Sequence, residues 1–420
     1  MINKPASLLA IVLTIAAPLS FAQNSSLWLL PNFSDRLELQ VSNPTDQVVN
    51  TLAVIPVADA TRTALGFPGT TAIAVIVGSP PITILPSQSD DLNGDGVPDE
   101  FVFPVKMQAH STMNVDVYYS MTLHNLIPWP RHVDASHSFG YNHATVALES
   151  EAIGYRTYGG FFLDVQGRDQ GKPGLNNTLV GFFSASFPSP AGKDIFHAGD
   201  TLGLGGLFLR SGKDVFRPPL NVPDYAHKPA PVEAPSYRVI SDGPVRAVVE
   251  ARMERWTIGK DAVSIDAIYS IAAGSEDVEC RFRILPLALS RTYQVGAGIR
   301  HLPKMHTNSA PGRLALDGEQ DPKIGPLGLA LYFDPNTVSG TGTLRTKDDD
   351  NDIVLFRKRL EPGHAVTGHY WMAAAWSGSG IHDLLDHLSD TEQQARASVV
   401  IGNFRHARTP APERLEGEAY

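Results

Sequence analysis

The chain has 420 residues, 43% of them hydrophobic, 19% charged and 8% aromatic, which is enough apolar material for a large core and too much for a disordered or collagen-like protein. Its 36 glycines and 32 prolines are spread along the sequence, a pattern that excludes a helical bundle and suits loop-rich β structure. With 34 Lys+Arg against 44 Asp+Glu and a formal net charge of −10, there is no cationic surplus to displace counterions from a phosphate backbone, so nucleic acid is excluded as a partner.

Taken in chain order, Lys4 precedes an apolar run from Leu8 to Ala17, and Ser20-Phe21-Ala22 then offers small residues ahead of a cut before Gln23. Residues 1–22 therefore read as a secretory signal peptide, and the mature protein is expected to be periplasmic or secreted. The apolar run is shorter than the about 20 residues that cross a bilayer, and no later segment approaches that length without charges, so no membrane span is expected.

Strand-period segments follow. Leu37, Leu39 and Val41 alternate with Glu38 and Gln40, and Met113 to Tyr119 alternates in the same way. Val245, Ala247, Val249, Ala251 and Met253 alternate with Arg246, Glu250, Arg252 and Glu254, which places Arg246, Arg252 and Arg255 on a solvated sheet face. Val263, Ile265, Ala267 and Tyr269 form another strand, with Gly259-Lys260 and Ala273-Gly274-Ser275 supplying the turns. Cys280 is the sole cysteine, so no intramolecular disulfide forms, and its alternation with Val278, Phe282 and Ile284 turns the thiol inward. The one helical spacing is late, at Ile381, Leu384, Leu385 and Leu388, with Asp390 or Thr391 capping a second short turn. The pattern predicts an all-β, antiparallel β-sandwich fold with few short helices. It divides into a small β unit at 23–120, a His-, Pro- and Ser-rich linker at 121–140, a larger β unit at 141–405 and a tail at 406–420.

Three constellations carry candidate chemistry. Asp91, Asn93, Asp95 and Asp99 stand at loop positions one, three, five and nine with Gly96 at six, the spacing of a loop that folds around a structural Ca²⁺. Position twelve is Val102 in place of the bidentate carboxylate, and the alternative is an Asx-rich hairpin loop. The stretch 141–172 gathers His143, Glu149, Glu151, Tyr155, Arg156, Asp164, Arg168 and Lys172. Glu149 and Glu151, two apart, would share one strand face. Arg156 can pair with a carboxylate in a fork while His143 and Tyr155 transfer protons, as a uronate or sugar ring requires, and Asp164, Arg168 and Lys172 add polar contacts. The bland reading is a surface strand whose charges pair with one another. Further on, His197 and Asp200 precede a glycine-rich segment that lets a ligand or backbone approach. His197, His143 and the two glutamates also suit a catalytic divalent metal such as Zn²⁺ or Mn²⁺. Trp371 and Trp376 are core residues or sugar-stacking platforms.

Five segments together, DDLNGDGVPDEFVF at 90–103, ALESEAIGYRTYGG at 147–160, DVQGRDQGK at 164–172, HAGDTLGLGG at 197–206 and SDGPVRAVVEARMERW at 241–256, resemble a secreted bacterial family of unknown function associated with unsaturated rhamnogalacturonyl hydrolases in polysaccharide-degradation loci. Where that family tends to carry a lysine after its aspartate–tyrosine–glycine run, this chain has Arg168. The resemblance implies a carbohydrate substrate and a galactose-mutarotase-like supersandwich. The expected function is degradation of acidic, uronate-containing oligosaccharides, with β-elimination ahead of hydrolysis. In a polysaccharide lyase, β-elimination would use Tyr155 or His143 as base, Arg156 against the uronate carboxylate, and His197 or Tyr155 as acid. In a glycoside hydrolase, Glu149 and Glu151 or Asp200 would be the acid and base. A non-catalytic binding module or a mutarotase-like epimerase are the other readings.

Overall fold

The computed structural model describes residues 27–68, 71–120, 128–138, 145–157, 160–170, 174–175, 192–219, 235–304, 306–346 and 349–409. The proposed signal peptide, His143 and Lys172 lie outside the described residues.

The described chain is mostly antiparallel β-strand with two α-helices. The expected strands are present: Asp35–Ser42, Thr112–Ser120, Arg246–Ile258, Asp261–Ala272 and Asp277–Ala288. The hairpin turns between the last three use Gly259 and Gly274 at φ 63° and 71°, a left-handed conformation that costs a side-chain-bearing residue strain and glycine almost nothing. Cys280 is fully buried in its strand, and burial pushes its thiol up to about 12, which leaves it a small core residue.

Two large sheets build the main body. One runs in the order Val338–Arg345, Asp350–Leu360, Tyr293–Arg300, Leu204–Ser211, Leu163–Arg168, Ile153–Thr157, Thr145–Ser150 and Val133–Ser138, with Gly192–Phe196 and Asp214–Phe216 attached, ten strands in all. The other has eight, from Ser236–Asp242 through Arg246–Ile258, Asp261–Ala272, Asp277–Ala288, Val366–Trp376, Leu327–Tyr332 and Arg313–Gly318 to His306–Ala310. Their inner faces share one core, in which Leu148, Tyr155, Val165 and Leu204 of the first sheet pack with Val249, Ile265, Cys280 and Tyr370 of the second. This is sandwich-like packing, and each large side chain it hides contributes roughly 1.5–3 kcal/mol.

A smaller sandwich packs a five-stranded sheet on a three-stranded one around Leu37, Leu39, Phe101, Phe103 and Val117. Its edge strand is Val400–Arg408, which pairs antiparallel with Asp35–Ser42. The sequence places residues 400–405 with the large unit and 406 onward in a tail; the structure returns the whole strand to the amino-terminal unit, because its apolar partners Ile401 and Phe404 pack on that core. Val133–Ser138, placed in the linker by composition, is a strand of the ten-stranded sheet.

The late helix is Leu384–Ala395, one helix running through Asp390 and Thr391 with no second cap, and Asp383 caps it by accepting from the Asp386 N–H at 3.1 Å. Its Leu384 and Leu388 cover the small-residue patch Ala315, Ala330, Ala373 and Ala375 on the outside of the eight-stranded sheet. A second short helix, Val57–Thr63, has no counterpart in the periodicity. Arg246, expected on a solvated face, is buried: it pairs with Asp90 at 2.6 Å and with Glu100, and Glu100 also accepts from Arg281 at 2.9 Å. This ionic bridge ties the small sandwich to the eight-stranded sheet, whereas Arg252 and Arg255 are exposed as expected.

Candidate active site

The outer face of a β-sheet is ordinarily wet, with polar residues alternating against apolar inward ones. In Thr145–Ser150, Ile153–Thr157 and Leu163–Arg168 every residue is buried, so charged side chains on the outer face are enclosed as fully as the apolar ones opposite. The register sets who faces whom. Ala147, Arg156 and Asp164 form one outward rung, and Glu149, Gly154 and Gln166 form the next outward rung. Between them Leu148, Tyr155 and Val165 point inward.

Arg156 lies 2.8 Å from Asp164 and 3.5 Å from Asp194, all three at most 3% exposed. Arg168 pairs with Glu149, reaching across Gly154, where an added Cβ would sit 3.5 Å from its Nη2. Burial and then the neighbouring Asp164 charge push the Asp194 carboxyl well above the usual carboxylate range, against the opposing pull of Arg156. Burial lowers the Arg168 guanidinium from its ordinary value, with Glu149 opposing. Among the described residues, Asp194 Oδ1, Gln166 Nε2 and Arg168 Nη1 are buried without a hydrogen-bond partner. Buried polar atoms are nearly always satisfied, so three such atoms in one layer are an exception.

His197 stands at the mouth of this layer. Its ring is 44% exposed, and Nδ1 lies 3.5 Å from Asp194 Oδ2. The backbone around it is pinned: the His197 N–H donates to Gln320 Oε1 at 3.1 Å, its carbonyl accepts from Arg300 Nη1 at 2.5 Å, and the next N–H, of Ala198, donates to Asp164 Oδ1 at 2.8 Å. The arrangement is a half-exposed imidazole beside a buried carboxyl whose pKa burial raises, held on a fixed loop.

The structure thus brings together Glu149, Arg156, Asp164, Arg168 and His197 in or beside one layer and separates the other candidates. Tyr155 faces the core between the sheets, its hydroxyl donating to the Glu276 carbonyl at 2.5 Å and accepting from the Ala374 N–H at 3.1 Å. Burial pushes that phenol well above its ordinary value, so it serves the core. Glu151 falls in the turn after its strand and pairs with His132, apart from Glu149. Asp200 pairs with Arg217 at 2.6 Å. The sequence did not single out Asp194, Gln320 or Arg300. The available signal for Asp194 is a carboxylate three residues before a histidine, next to Lys193 and ahead of the apolar pair Ile195-Phe196.

Among the described residues no three His, Cys, Asp or Glu side chains are grouped to hold a metal. Of the four residues of the catalytic-metal expectation, Glu149 pairs with Arg168 and Glu151 with His132, and His143 lies outside the described residues. In the Asp91–Asp99 loop, Asp91 accepts from the N–H groups of Gly94 and Gly96 at 2.6 and 2.7 Å, and Asp99 accepts from Leu92 at 2.8 Å and Asn93 at 3.2 Å. The loop closes on its own amides as an Asx-rich hairpin connection between two strands.

Trp376 is core, its Nε1 donating to the Ile324 carbonyl at 2.8 Å, and Lys193 Nζ lies 4.9 Å from its ring centroid. Trp371 is half-buried on the other sheet, in edge contact with His369 at 5.0 Å between centroids.

A family model described as "Domain of unknown function (DUF4861)" matches residues 41–396. No curated protein matches the chain. Among solved structures, it is similar to a protein in the glycosyl hydrolase family 38 from Enterococcus faecalis, at a TM-score of 0.49 and 10% identity over 91% of this chain and 49% of that one. It is also similar to an alpha-mannosidase from Enterococcus faecalis V583, at a TM-score of 0.48 and 10% identity over 90% of this chain and 46% of that one. The chain spans about half the length of the solved structures it matches.

Proposed function

Starting from a chain that belongs to the DUF4861 family, we propose that it is an exported carbohydrate-active enzyme that cleaves glycosidic bonds by general acid–base catalysis on the outer face of its ten-stranded sheet. The observation that carries this reading is the pair of Asp194 and His197: a buried carboxyl 3.5 Å from a half-exposed imidazole. A buried carboxyl beside an accessible imidazole is a pairing that general acid–base catalysis uses. His197, Arg156 and Asp164 lie in segments that resemble the secreted polysaccharide-locus family, which supports a sugar substrate. The two large sheets facing across one core support an architecture of the supersandwich kind.

His197, whose ring is half-exposed, meets the substrate oxygen; Asp194 backs the imidazole with Oδ2 at 3.5 Å; Arg156, itself paired with Asp164, holds Asp194 in place. Hydrolysis fits the layer better than β-elimination. An eliminating enzyme needs a cation against the developing enolate, and here each guanidinium already has a buried carboxylate partner, Arg156 in Asp164 and Arg168 in Glu149. Tyr155, the base that elimination would call on, faces the core.

The test is incubation with acidic and neutral plant or algal oligosaccharides, following reducing ends and the ultraviolet absorbance of unsaturated uronates in parallel. New reducing ends without absorbance are expected. Asp194→Asn and His197→Ala should each lower kcat/KM by about 10²–10⁴-fold with the melting transition preserved. Full activity in both variants would remove the proposal, and absorbance appearing with the reducing ends would replace hydrolysis by elimination.

A further inference from the structure

A cleft of about 870 Å³ opens on the outer face of the eight-stranded sheet, across the sandwich from His197. Its floor is set by register. Arg252, Asp266, Arg283 and Thr367 make one rung, and Glu250, Ile268, Arg281 and His369 make the next. One wall is the hairpin loop of the small sandwich, where Arg238 Nη2 donates to the Leu92 carbonyl at 2.7 Å and fixes the overhang that presents Asn93. The opposite wall is the end of Asp350–Leu360, whose Lys358 Nζ donates to the Thr367 carbonyl at 3.2 Å.

Arg252, Arg281, Arg283, Arg357 and Lys358 face this cleft against three carboxylates, Asp99, Glu250 and Asp266. In a chain of net charge −10 that local surplus is out of proportion. All three carboxylates are occupied: Glu250 by Arg238 at 3.0 Å, Asp266 by Arg252 at 3.2 Å, and Asp99 by the amides of its own loop. Arg281 is held by Glu100. Arg283 and Arg357, both exposed, make no ion pair among the described residues. Between the cations lie apolar patches, Ile268 and Phe356, and the neutral hydrogen-bonding groups of Asn93, Asn336 and Thr337.

We infer that this cleft is a second, non-catalytic site that holds a carboxylated oligosaccharide, with Arg283 and Arg357 as the forks for its uronate groups. Planar guanidiniums match carboxylates two bonds at a time, the apolar patches suit the C–H faces of sugar rings, and the amide and hydroxyl groups suit ring hydroxyls. The cleft spans both units of the protein, so a chain several sugars long fits it better than a single small anion. The inference rests on the saccharide reading of the catalytic face and makes it specific: the protein grips an acidic glycan on one sheet while the other sheet carries the acid–base pair.

The test uses the full mature chain with His197→Ala, so that no ligand is consumed, titrated calorimetrically with an oligogalacturonate of about six units, with a neutral cello-oligosaccharide and with inorganic phosphate. Binding of the oligouronate that weakens with added salt, and a ten- to hundredfold weaker Kd in Arg283→Ala/Arg357→Ala, are expected, with no binding of the neutral oligomer. The double substitution lies on exposed side chains and should leave the melting temperature unchanged. Unchanged affinity in the double variant, equal affinity for the neutral oligomer or for phosphate, or no binding would each overturn the inference. Binding at the cleft by a protein that cleaves no oligosaccharide would instead defeat the enzymatic reading and leave this one standing.

Discussion

Asp194 and Asp277 are both carboxyls that burial pushes upward, Asp277 to about 6. An acid whose folded pKa exceeds its unfolded value binds more protons when folded, so its stabilisation is complete below the unfolded pKa and is lost as pH rises through the folded one. For Asp277 that window runs from the ordinary 3.8 to about 6. Asp277→Asn is expected to flatten the fall in melting temperature across that range, read by thermal unfolding at a series of pH values; an unchanged slope would show the carboxyl to be hydrated. For Asp194 the same sign holds over a window that opens at 3.8 and extends well above it. Asp194→Asn, a neutral isostere, should therefore hold or raise the melting temperature at pH 8 while removing turnover, a combination that a purely structural carboxylate would not give. Arg156 shows what a residue-level reading misses: as a guanidinium among polar neighbours it looks ready for a substrate carboxylate, and in the fold Asp164 and Asp194 already occupy it.

Elements are positioned by close approaches that only glycine permits and by charges that only burial makes costly. A Cβ at Gly192 would lie 2.0 Å from the Gly167 carbonyl oxygen, so the strand that delivers Asp194 docks only because neither residue has a side chain. Gly192→Ala is expected to cost about 1–3 kcal/mol and to lower activity together with stability, measured by urea unfolding and by assay of the surviving folded fraction. The bridge from Asp90 and Glu100 to Arg246 and Arg281 is buried at its centre. Arg246→Met leaves Asp90 without its cation and Glu100 with Arg281 alone, and a loss of about 3–5 kcal/mol is expected, with the small sandwich becoming the first region to exchange amide protons. The hairpin loop that carries Asp91 to Asp99 closes on backbone amides, so treatment with a chelator is expected to leave the melting temperature where it was; a clear drop that Ca²⁺ reverses would show the loop to be a cation site after all.

At the scale of the whole molecule, the last strand closes the first unit. Val400–Arg408 supplies seven residue pairings to Asp35–Ser42, and its Ile401 and Phe404 cover that unit's core. Truncation after residue 399 is expected to expose the edge of Asp35–Ser42 and to make residues 27–120 protease-sensitive, while the two large sheets, which share their own core, stay resistant. Protection of the amino-terminal unit in the truncated protein would show that the strand is dispensable.

Alternation of apolar and polar residues by itself determined the strands, the inward thiol of Cys280 and the turns at Gly259 and Gly274, because a half-buried strand writes its burial into a period of two and a tight reversal writes itself as glycine. It also located the polar stretch from which Glu149, Arg156, Asp164 and Arg168 come. Which of these meet was decided only by the tertiary structure. Strand pairing between residues far apart sets Arg156 beside Asp194 and carries Tyr155 to the opposite face, and enclosure of the outer sheet face turns charges that would be solvated into buried pairs. The return of the carboxy-terminal strand to the first unit and the burial of Arg246 belong to the same class: each depends on which surface another segment covers, and the order of residues along one strand contains no record of that.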